Sequence, residues 1–180
     1  QWSLFFSGYS NIEQDPQGGE KCFLFDDRGR SVGIINQNGD ANLRSYDGED
    51  HIVSTTTPKG ETTTHAFNGD NNVTSETDPL GHSITYTYDA QKRLKTVTDK
   101  RGNTTSFTYT LAHLLETVTD PLDHVTTYGY YPNGLVYTVT DAESKVTTTA
   151  YDSYGAVNRV TLHDGTAETF TNNPRGDILT

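Results

Sequence analysis

Ile84, Tyr86 and Tyr88 alternate with Ser83, Thr85 and Thr87 along one short stretch of the chain. The same parity recurs in Thr105, Phe107 and Tyr109, and again in Thr126, Tyr128 and Tyr130. Alternation with period two, rich in threonine and aromatics, predicts half-buried strands with aromatics inward and threonine outward. A return segment follows each, carrying Leu94 and Val97, Leu115 and Val118, Val136 and Val139, or Val157 and Val160. The members of each pair are three residues apart and cannot share one face of a regular strand. A bulge in each repeat, or a strand buried partly on both faces, reconciles them, and we favour the bulge.

Two kinds of turn separate these segments. The first reads Asp78-Pro79-Leu80-Gly81, with counterparts opening at Asp15, Asn36, Thr57, Asp99, Asp120, Asp141 and Leu162. The second follows the last aromatic and opens at Asp26, Asp47, Asn68, Asp89, Tyr131 and Asp152. An opening Asp or Asn caps its own turn, Pro pre-sets φ, and Gly closes it, which is type I turn chemistry. Turn signals about ten residues apart predict short antiparallel strands.

The whole pattern recurs with a fixed step. Thr77, Thr98, Thr119, Thr140 and Thr161 are 21 residues apart (98 − 77 = 21), and the intervening segments move with them. The last aromatic of each unit falls at Phe25, Tyr46, Phe67, Tyr88, Tyr109, Tyr130 and Tyr151. Such a period without insertion predicts one small unit stacked on copies of itself. The expected fold is all-β: an array of antiparallel β-hairpin repeats of about 21 residues, coiled into a continuous sheet, solenoid or shell segment. Residues 1–13 fit the repeat only loosely and read as a cap or an exchanged strand, whereas 14–180 read as the array. The seven recurring aromatics are expected to form a ladder of contacting rings.

Composition narrows the picture. A hydrophobic content of 32% leaves room for a thin periodic seam rather than one large core. Aromatics repeating at a fixed step argue against disorder. A net charge of −11 repels phosphate backbones and disfavours nucleic acid. The single cysteine, Cys22, excludes a disulfide framework within the chain and reads as a small strand residue. No apolar run approaches the ~20 residues of a membrane span, and none reads as a signal peptide. The chain lacks methionine and begins with Gln1, so a processed product or an excised segment is expected.

The strings Tyr88-Asp89-Ala90-Gln91-Lys92-Arg93-Leu94, Phe25-Asp26-Asp27-Arg28-Gly29-Arg30-Ser31 and Tyr151-Asp152-Ser153-Tyr154-Gly155-Ala156-Val157 resemble the tyrosine-aspartate motif of the Rhs/YD-repeat family. The resemblance implies antiparallel hairpins coiling into a continuous sheet. In larger relatives that sheet winds into a hollow shell around a toxin domain, or forms part of a cell-surface adhesion protein. The aspartyl self-cleavage region of toxin-bearing relatives is not recognisable in this sequence. Autoproteolysis and encapsulation are therefore not carried over to it.

Candidate chemistry is sparse. His82 and His124 share one turn slot two units apart (124 − 82 = 42) and read as solvated turn residues, as do the acidic clusters Asp26 with Asp27 and Asp47 with Glu49 and Asp50. Neither a metal site nor a catalytic triad emerges, so no enzyme activity and no cofactor are expected. Asn72-Val73-Thr74 and Asn103-Thr104-Thr105 are sequons that permit glycosylation. Trp2, Leu4, Phe5 and Phe6 are candidates for a subunit contact in which one chain completes the next chain's edge.

The expected function is a non-catalytic structural protein, extracellular or at the surface of a bacterial-type cell, serving as fibre, spacer or shell wall. Its partner is then a second copy, head to tail, or flanking repeats of a longer chain. Two alternatives stand beside it: a module binding glycans through outward Tyr131, Tyr137 and Tyr154, and a fragment of a toxin-encapsulating shell.

Overall fold

The computed structural model describes residues 10–14, 18–173, 175 and 177–179. The chain divides into two units, Gln1–Tyr86 and Thr87–Thr180. The first carries β1 (Ser10–Gln14), β2 (Glu20–Phe25), β3 (Ser31–Ile35), β4 (Ala41–Tyr46), β5 (Ile52–Thr56), β6 (Thr62–Phe67) and β7 (Val73–Thr77), and β8 (Ser83–Tyr88) follows. The second carries β9 (Leu94–Thr98), β10 (Thr104–Tyr109), β11 (Leu115–Thr119), β12 (Val125–Tyr130), β13 (Val136–Thr140), β14 (Val146–Tyr151), β15 (Val157–Thr161) and β16 (Ala167–Thr169). The strands follow one another in chain order in a 16-stranded sheet, without crossover. Among the described residues there is no helix. The all-β hairpin array expected from the period is the fold observed.

The turns show why these residues make hairpins. Gly81 N donates to Asp78 O at 3.0 Å and Asp78 N to His82 O at 2.9 Å, closing a type I turn whose next residue is left-handed. Gly81 takes φ 85° there, a conformation that costs a residue without Cβ nothing sterically. Lys92, His113, Asp123 and Ser144 occupy equivalent positions with φ between 62 and 65°, so the repeat imposes this strained backbone even where glycine is missing.

The expected bulge lies in the return strand. Thr108 faces Thr117 while Tyr109 faces Leu115, which leaves Glu116 as the extra residue. The same two-against-one pairing leaves out Val53 opposite β4 and Tyr137 opposite β12. One inserted residue restores the parity of Leu115 and Val118. On the opposite face, small hydroxyl side chains pair across strands: Ser45 with Ser54 at 2.6 Å, Thr87 with Thr96 at 2.6 Å, and Thr108 with Thr117 at 2.7 Å.

The sheet has little core. Leu24, 7% exposed, is the one buried apolar residue among those described, and all seven recurring aromatics are half-buried. The apolar seam is lined by side chains of neighbouring hairpins.

Candidate functional site: the staple between hairpins

Asp89 opens a turn and organises it. Its Oδ1 accepts the amides of Gln91 and Arg93, both at 2.9 Å, and its own amide donates to Arg93 O at 2.9 Å. Oδ2 then receives Arg93 Nε at 2.7 Å. The carboxylate thereby aims the guanidinium along the sheet, where its carbon lies 4.5 Å from the centre of the Tyr109 ring. The Tyr109 hydroxyl donates back to Leu94 O at 2.8 Å. Asp89, Arg93, Leu94 and Tyr109 therefore act as one unit that fastens one hairpin to the next.

The same construction holds Tyr46. Arg30 Nε meets Asp26 Oδ2 at 2.7 Å, Nη1 reaches Asp47 O at 3.0 Å, and the guanidinium carbon sits 4.6 Å from the Tyr46 ring centre. Tyr46 donates to Ser31 O at 2.9 Å. In the next repeat histidine takes the arginine's place. His51 Nδ1 lies 2.8 Å from Asp47 Oδ2, and its ring stacks on Phe67 at 4.3 Å.

Beside the expected aromatic ladder these contacts set a second element: Tyr46, Phe67 and Tyr109 are each covered by an Arg or His side chain from the preceding hairpin. The missing signal was the slot Arg30, His51, Asn72, Arg93, which lies outside any strand and reads as variable turn sequence.

Further along, the staple changes composition. Thr110 keeps part of the cap, accepting Leu114 N at 3.2 Å through its hydroxyl, and Leu135 stands where arginine stood. Tyr131 replaces the opening aspartate. Its ring meets Tyr151 edge-on at 6.1 Å and Tyr137 at 4.8 Å, so it is half-buried and not the outward platform expected of it. Tyr137 and Tyr154 are outward, 45% and 67% exposed. At position 172 (151 + 21) asparagine takes the aromatic's place, and its Nδ2 donates to Val157 O at 2.9 Å as Tyr151 donates to Val136 O.

Electrostatics follow the turn geometry. Partial burial raises the Asp89 carboxyl, but the Arg93 side chain and the amides of Arg93 and Gln91 outweigh it and hold it below the ordinary carboxylate range. Asp47 is lowered in the same way, burial opposing the larger sum of bonds from His51 and the Glu49 amide. For Asp99 the Asn103 side chain leads, and for Asp120 the His124 amide leads. Burial, with Tyr128 beside it, raises the Tyr130 phenol.

Other candidates fall as follows. His82 and His124 each sit against their own turn carboxylate, Asp78 at 3.4 Å and Asp120 at 2.9 Å. Asp47, Glu49 and His51 bring ligand atoms within 4.8 Å of one another, but His51 is already committed to Asp47. Asp50 beside them is paired with Arg28 and Arg30. The two sequons differ. Asn103 is exposed, whereas the Asn72 Nδ2 is buried without a hydrogen-bond partner. Trp2, Leu4, Phe5 and Phe6 lie outside the described residues.

The motif behind this staple is a known one. Three overlapping windows, 46–82, 67–104 and 88–125, match the RHS repeat. Residues 46–125 carry RHS repeats. The matched windows open on the recurring aromatics Tyr46, Phe67 and Tyr88, of which Tyr46 and Phe67 are stapled. The RHS fold is similar to that in crystal structures of TcdB2-TccC3-Cdc42 and of TcdB2-TccC3 without its hypervariable C-terminal region. Each aligns at a TM-score of 0.56 and 14% identity over 93% of this chain. This chain spans 13% of the length of those chains, and at that identity the likeness is one of fold. No curated protein matches it significantly.

Proposed function

We propose that this chain is a non-catalytic wall segment of a larger Rhs-type shell, exported from a bacterial-type cell. The observation that carries the reading is the fold likeness to TcdB2-TccC3, which extends over 93% of the chain. A sheet whose hairpins are fastened only to their neighbours suits a wall, because length can be added without a new core. The staple supplies that fastening from inside the repeat, and its side chains are occupied with one another. Flanking repeats are then the partners, and no cofactor takes part.

The fibre reading invokes the same repeats but ends in head-to-tail polymers. Negative-stain imaging of the native full-length material separates the two. Hollow closed particles are expected. Filaments with a regular axial repeat, abolished by deleting residues 1–12, would instead establish the polymer.

A further inference from the structure

Two grooves of the same construction lie five repeats apart. The offset 131 − 26 = 105 is five steps of 21, and it carries Asp26, Arg30, Ser45 and Tyr46 onto Tyr131, Leu135, Ala150 and Tyr151. All eight residues line their respective grooves. In the first groove the chain supplies its own cation, with the Arg30 guanidinium held by Asp26 and stacked 4.6 Å from the Tyr46 ring centre. In the second, Leu135 has removed the cation and Tyr131 has removed the carboxylate that would have held it.

What remains is an aromatic recess with an acidic rim. The cavity is about 280 Å³, and no Lys or Arg lines it. Tyr131 stands at 81° to Tyr151 across the groove, and Tyr137, outside the lining, backs the Tyr131 ring at 57°. Asp152, also in the lining, has its Oδ1 on the amides of Tyr154 and Ala156 at 2.9 and 3.0 Å and its Oδ2 on Asn172 Nδ2 at 3.1 Å. Those neutral donors leave its negative charge unmatched. Asn133 and Ser153 add polar groups at the mouth.

Ring faces and a fixed carboxylate both attract cations, and a planar guanidinium stacks on tyrosine better than an ammonium does. A chain charged −11 also draws cationic partners toward it. Here the loss of a local rule at one repeat coincides with a gathering of rings, which is where a function is expected. We propose that the Tyr131–Tyr151 groove receives an arginine side chain from outside the hairpin, in the position that Arg30 and Arg93 fill from within.

The test is an NMR titration of the ¹⁵N-labelled full chain with free arginine, with N-acetyl-arginine amide, and with the uncharged N-acetyl-citrulline amide. Saturable shifts confined to residues 131–137 and 150–155 are expected with the arginine compounds, and binding about tenfold weaker with citrulline. Tighter binding of the capped compound identifies a side chain on a polypeptide as the occupant; tighter binding of free arginine identifies the small molecule. Leu135→Arg installs the chain's own guanidinium and is expected to abolish the shifts while the β-sheet circular dichroism is retained. Should that variant fail to fold, Asp152→Asn, which keeps the turn's acceptor as Asn68 does, is expected to weaken binding several-fold. No saturable shift, equal response to citrulline, or unchanged binding by a folded Leu135→Arg chain overturns the proposal.

Discussion

The Tyr109 hydroxyl donates to the carbonyl oxygen of Leu94 at 2.8 Å, tying the end of β10 to the first residue of β9. Tyr46 to Ser31, Tyr130 to Leu115 and Tyr151 to Val136 repeat the bond at the same separation of 15 residues. The contact is long-range for a hairpin and local for a repeat, so it reports directly on stacking.

Tyr109→Phe removes the donor and leaves the Leu94 carbonyl without it. A loss of about 1 kcal/mol is expected in urea denaturation. Phe67→Tyr is the converse, since its hydroxyl falls where residue 52 (67 − 15) offers a carbonyl. A gain of about the same size is expected.

The left-handed turn positions predict opposite effects of glycine and alanine. Ser144 sits at φ 62°, so Ser144→Gly is expected to stabilise by about 0.5–1 kcal/mol. Gly102 takes φ 86° with nothing within 4 Å of an added Cβ, so Gly102→Ala costs about 1 kcal/mol through the backbone alone. Thermal midpoints of the two variants should move in opposite directions.

Acid should loosen the array. The carboxyls of Asp26, Asp47, Asp89 and Asp152 all lie below their ordinary values. Their contribution is therefore fully present above the unfolded carboxylate pKa and is lost as pH falls through the lower folded values. Asp89→Asn keeps the acceptor for two amides, as Asn68 does at 3.0 Å to Asp70 and Asn72, but removes the charge facing Arg93. The variant should be less stable at neutral pH, with a shallower fall in thermal midpoint between about pH 5 and about pH 2. An unchanged acid profile would remove the staple's electrostatic part.

Enzymatic glycosylation of the already folded chain in vitro should modify Asn103 and not Asn72. Peptide mapping that found glycan on Asn72 in folded protein would contradict the buried position of its Nδ2.

Much of this fold could be read from the chain because its contacts are local. Alternation set strand faces, the three-residue spacing of Leu115 and Val118 favoured the bulge now seen at Glu116, and Asp78 with Gly81 specified the turn. Each of these depends on residues within one hairpin, where backbone geometry leaves few options. What tertiary structure alone decided is what lies against each ring. Arg93 is 16 residues from Tyr109 and appears in the sequence as a turn residue, yet the turn's own carboxylate swings it onto the next hairpin. The reach of a side chain across the sheet depends on the sheet's register and on the carboxylate that anchors it. For the same reason the sequence showed two equal sequons, and only packing distinguished Asn72, whose Nδ2 is buried, from the open Asn103.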